Sequence, residues 1–72
     1  MKFISKKGIV HNKNLRMREA RYENDLTQWQ VAALAWIPGT TMGLIETGRL
    51  NPNNDLKEII ADILKVKVSD LW

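Results

Sequence analysis

Cysteine is absent from this chain, and with it any disulfide framework or thiolate metal site. A chain without cysteine fits a reducing compartment. Histidine occurs once, as His11, so neither a zinc site nor a catalytic triad can be assembled from it. No run approaches the roughly 20 apolar residues of a membrane span. The opening "MKFISKKGIV" is broken by Lys6 and Lys7 and does not read as a secretory signal. No nucleophile motif, paired-carboxylate arrangement or phosphate-cradling glycine loop is present, so an enzyme is not expected. Nor is a cofactor, a metal or a membrane partner. The expectation is a soluble cytoplasmic protein. Its 72 residues make one small domain, in the size range that buries only about 60% of its unfolded surface.

Charge is present but unevenly placed. The net charge is +3. Residues 1–21 carry Lys2, Lys6, Lys7, Lys13, Arg16, Arg18 and Arg21 against Glu19 alone, while the remainder is acidic on balance. A basic front end is the footprint of a polyanion binder, and equally of a solvated tail.

Residues 1–13 lack a helical period and form a basic arm, with a short strand expected within 3–10. From Asn14, a plausible N-cap, a helix runs to about residue 24. Thr27 followed by Gln30 is a capping box, which opens a second helix over 28–35 with Val31, Ala32 and Ala35 on its apolar face. Pro38 and Gly39 mark a break. A third helix is expected over 40–47, with Met42 and Ile45 inward and Gly48 ending it in the left-handed region. Asn53 or Asn54 caps a fourth helix over 55–65, whose Leu56, Ile59, Ile60, Ile63 and Leu64 form the strongest amphipathic stripe. A last short turn of helix, capped by Ser69, ends on Leu71 and Trp72.

Two short helices joined by a tight turn inside a five-helix bundle is the helix-turn-helix plan. Residues 14–72 resemble the phage repressor/Cro-type (XRE) helix-turn-helix family. The matching residues are "LTQ" at 26–28, "VAAL" at 31–34, Ile37, Thr41, "IETG" at 45–48, "NP" at 51–52 and "VSDLW" at 68–72. The resemblance implies an all-α, five-helix, lambda-repressor-like bundle behind the basic arm. It also implies binding of double-stranded DNA, usually as a homodimer on a pseudo-palindromic site, with the third helix in the major groove.

The resemblance places DNA contacts at Thr27, Gln28, Gly39, Thr40, Thr41, Gly43, Leu44, Thr47, Arg49 and Asn51. Thr27 and Gln28 sit at a helix N-terminus, where free N–H groups and the dipole favour phosphate. The alternative for Gln28 is an ordinary helix-starting residue. Arg49 is the only cation between Arg21 and Lys57, a candidate phosphate clamp or a solvated surface Arg. Arg21 and Glu46 match a pair that the family joins as a structural salt bridge. By the same resemblance the groove-facing positions are Gly39, Thr40, Thr41, Gly43 and Leu44. They lack the Arg, Asn and Gln that make bidentate base contacts, leaving threonine groups and a leucine that suits a thymine methyl.

The turn departs from the family. Trp36 stands where the usual glycine does, and Pro38 replaces the usual capping Ser or Thr. A left-handed Trp would be strained, so the expectation is a turn built differently, with Pro38–Gly39 making the bend. Trp36 is then expected to pack in the core beside the small Ala35. Trp29 is expected to fold back on the arm, near Phe3, with an interface role as the alternative.

The leading expectation is a Cro- or repressor-like regulator of phage or prophage type. In it Val66, Val68, Leu71 and Trp72 offer a dimer surface. The rival is a helix-turn-helix module repurposed for protein–protein interaction, antirepressor- or antitoxin-like.

Overall fold

The computed structural model describes residues 14–72. The expected strand within 3–10, Phe3 and the four arm lysines lie outside the described residues. The described chain is all-α: α1 (Leu15–Glu23), α2 (Gln28–Ala35), α3 (Gly39–Glu46), α4 (Asn54–Leu64) and α5 (Val68–Leu71). There is no strand among the described residues.

Side-chain caps start α1, α2 and α4. The Asn14 side chain accepts from the Met17 amide and caps α1. Thr27 accepts from the Gln30 amide while the Gln30 side chain accepts from the Thr27 amide, so the capping box is complete at α2. Asn53, not Asn54, caps α4 through the Leu56 amide. Pro38 precedes α3, which starts one residue earlier than expected. Ser69 does not cap α5. That helix begins at Val68, and the Asp70 carboxylate accepts from the Lys67 amide instead, which puts Ser69 inside the helix.

The first four helices end by one device. A residue in the left-handed region follows each helix, and paired amides reach back over it. Asp25 and Leu26 donate to Tyr22 and Arg21, Trp36 and Ile37 to Ala33 and Ala32, Gly48 and Arg49 to Ile45 and Leu44, Lys65 and Val66 to Asp62 and Ala61. This is the Schellman pattern. Only one of the four left-handed residues is glycine. Asp25, Trp36 and Lys65 hold φ of 56°, 60° and 60° with a side chain in place.

Met17 and Ala20 of α1, Val31, Ala32 and Ala35 of α2, Met42 and Ile45 of α3, Ile60, Ala61 and Leu64 of α4, and Leu71 form the buried core. Leu26, Ile37, Leu56, Ile63, Val66 and Val68 pack at its margin. The α4 stripe is turned toward Ala61, which leaves Ile59 exposed. Asn24 donates to the carbonyls of Ala20 and Leu64, tying the end of α1 to the end of α4.

Trp36 is not in the core. It is 94% exposed and takes the left-handed position that the sequence argued against. The two backbone bonds that close α2 require left-handed geometry at residue 36, whatever its side chain. That geometry turns the indole outward, and Ala35 is buried without it.

Candidate nucleic-acid interface

A buried ion pair sets the position of α3. Arg21 and Glu46 retain only 6% and 3% of their exposure. Arg21 Nε donates to the two Glu46 oxygens at 3.0 and 2.9 Å. Arg21 Nη1 donates to the Leu26 carbonyl at 3.0 Å, and the guanidinium carbon lies 5.2 Å from the centre of the Tyr22 ring. Removing one partner of such a pair strands a buried charge, which costs on the order of 3 kcal/mol.

The same carboxylate holds a third element. Gln28 Nε2 donates to Glu46 Oε1 at 2.7 Å. One side chain therefore joins α1, the start of α2 and the end of α3. The sequence reading did not include the Gln28 bond, because its partner is 18 residues away and already matched to Arg21. Half-buried, Gln28 holds its carboxamide against α3, with Oε1 beside Gly43.

On the outward side of α3, Thr40, Gly43, Leu44, Thr47 and Arg49 line one open concavity. Thr40, Leu44, Arg49 and Asn51 are exposed, while Gly39, Thr41, Gly43 and Thr47 are half-buried. Thr27 is exposed at the head of α2. The Thr47 hydroxyl donates back to the Gly43 and Leu44 carbonyls at 2.9 and 3.2 Å, so its proton is already engaged. The Schellman bonds after α3 anchor the backbone of Arg49 at the rim of the concavity.

The two glycines of α3 have different reasons to be glycine. A β-carbon on Gly39 would overlap the Trp29 ring, which lies directly against the Gly39 backbone. Trp29 thus bridges α2 to the start of α3, while remaining 69% exposed. At Gly43 a β-carbon would stand 3.5 Å from Gln28 Oε1, an ordinary contact. The packing of the molecule accommodates alanine there.

Residues 26–45 contain no ionisable side chain. Apart from the buried Glu46 at the end of α3, both helices of this surface and the turn between them are uncharged, and the nearest cations in sequence are Arg21, which is buried, and Arg49. Among the described residues, no group of acidic, histidine or cysteine side chains is arranged to hold a metal ion. No helix among them is long and apolar enough to cross a membrane.

Comparison with family models, curated proteins and solved structures gives no match to this chain.

Proposed function

We propose that the chain is a double-stranded-DNA-binding transcriptional regulator of the cytoplasm. In this reading it acts as a homodimer, with α3 in the major groove and the head of α2 on the phosphate backbone. The observation that carries the reading is the open concavity of Thr40, Gly43, Leu44, Thr47 and Arg49, with the capped start of α2 beside it. The capping box takes the Thr27 and Gln30 amides, which leaves those of Gln28 and Trp29 at that helix start to favour an anion. Arg49 serves as a phosphate clamp and the arm lysines add charge that is blind to sequence. Base reading is confined to threonine groups and Leu44, so preference leans on DNA shape. The glycine at 43, which packing does not require, lets the helix backbone approach the groove closely.

A second reading rests on one specific observation. The uncharged stretch over 26–45 and the exposed Trp29, Leu34 and Trp36 suit protein–protein interaction better than a polyanion.

Titration of ¹⁵N-labelled protein with a random duplex separates the two. DNA binding predicts salt-sensitive shifts at Gln28, Thr40, Thr41 and Arg49, and a uniform loss of affinity across sequences in Arg49→Ala. No shifts at these residues in low salt would overturn the DNA reading.

A further inference from the structure

The side-chain oxygen of Gln28 has a fixed direction. A carboxamide can lie either way round, but the Glu46 carboxylate, ion-paired with Arg21, only accepts. Gln28 Nε2 therefore turns to Glu46, at 2.7 Å, and Oε1 turns away from it. Oε1 lies beside Gly43, 3.5 Å from where a β-carbon would stand, and meets no donor among the described residues. Gly43 lines the outward concavity of α3. An unpaired acceptor thus stands at the edge of that surface, left uncovered by the glycine.

This oxygen suits neither of the usual partners of a glutamine on DNA. Phosphate oxygens only accept, so Oε1 cannot grip the backbone. The bidentate pair with adenine needs the amide nitrogen beside the oxygen, and here the nitrogen is held by Glu46. What Oε1 can take is a single amino proton. The major groove offers two, on adenine N6 and cytosine N4, whereas guanine O6 and N7 and thymine O4 are acceptors and repel it.

The concavity decides between adenine and cytosine. Thr47 has spent its hydroxyl proton on the Gly43 and Leu44 carbonyls, and Leu44 is exposed. Around Gly43 the surface offers hydrocarbon, the complement of a thymine C5-methyl group. An A·T pair carries the amine and the methyl on one major-groove edge. A C·G pair has the amine without the methyl.

We propose that this surface reads one A·T base pair directly. Gln28 Oε1 accepts from adenine N6, and Leu44, next to Gly43, covers the C5-methyl of the paired thymine. The proposal rests on the DNA-binding reading. To the threonine groups and Leu44 of α3 it adds one specificity-determining side chain from α2, whose backbone amide remains free for phosphate.

Duplexes selected from a random pool by the wild type test it, with fluorescence anisotropy as the readout. At each A·T pair of the selected site, purine replaces adenine to remove the amine, and uracil replaces thymine to remove the methyl. A third duplex carries I·C in place of A·T, which exchanges the major-groove pattern and keeps the minor groove. At one pair, purine and I·C each weaken binding at least about fivefold. Uracil weakens it about fourfold at the same pair. Gln28→Met, similar in length but without the amide, binds the adenine and purine duplexes alike and still responds to uracil. The base replacements are made on the wild type, so the test does not depend on the variant's folding.

If no A·T pair responds to purine, the proposal falls and the DNA reading stands. It falls equally if the responsive pair is indifferent to uracil, because cytosine would then serve as well. A folded Gln28→Met that weakens every duplex alike and still tells adenine from purine makes Gln28 structural only, and overturns it. A wild type that selects no duplex at low salt overturns the DNA reading and this proposal together.

Discussion

Trp29 and Gly39 are matched: the indole of the first lies in the space a β-carbon on the second would fill. The contact joins two helices that are separated by a turn containing Pro38, and it is made where α3 begins. Gly39 lies outside the left-handed region, so its glycine serves close approach and not backbone freedom.

Gly39→Ala therefore displaces the Trp29 ring. The expected cost is about 1–3 kcal/mol, the usual range for forcing a carbon into occupied space, despite the helix propensity gained. Urea unfolding reads the loss, and a shift of the Trp fluorescence spectrum reads the displaced ring. A variant as stable as the wild type with an unchanged spectrum would show that Trp29 does not rest on Gly39.

Gly43→Ala points the other way. Glycine within a helix costs about 1 kcal/mol relative to alanine, and the added methyl meets only Gln28 Oε1 at an ordinary distance. The variant should be more stable by about that amount. On the DNA reading it also weakens duplex binding, because the methyl stands on the groove-facing side. A stabilised variant with unaltered duplex affinity would remove Gly43 from the interface.

Glu46→Gln strands the Arg21 charge in a buried site and is expected to cost on the order of 3 kcal/mol. The double change Arg21→Met with Glu46→Leu removes both charges and should recover most of that loss. Denaturant titration of Arg21→Met, Glu46→Leu and the double variant supplies the coupling energy. Additive losses would mean that the two residues act independently.

Much of the bundle is legible from local signals. Asn14, the Thr27 and Gln30 pair and Gly48 do in the structure what their side chains and positions imply. The inward positions of α2 and α3 follow from their period. The buried Arg21–Glu46 pair was implied by the resemblance alone, because its members lie 25 residues apart. What local reading misses depends on long-range geometry or on a small balance of costs. Trp29 is placed by where α3 crosses α2, and Gln28 by a carboxylate on another helix. Trp36 was read from steric cost and from the gap beside the small Ala35, whereas two backbone bonds favour the left-handed turn that turns it outward. The cap of α5 lies at Lys67, two residues before the expected one, where the Asp70 carboxylate and not Ser69 accepts from the Lys67 amide.

Asn14 performs three tasks with one residue. Its side-chain oxygen caps α1, its Nδ2 donates to the Leu71 carbonyl at 2.8 Å, and its amide donates to the Glu46 carbonyl at 2.8 Å. The residue where α1 starts is thus latched to the last residue of α5, 57 positions away. Local opening of α5 would release the same side chain that holds the first turn of α1 in register. The two ends of the bundle then belong to a single cooperative unit, so that fraying at one is felt at the other. Among the described residues, α5 is short but is not a peripheral helix to be lost cheaply.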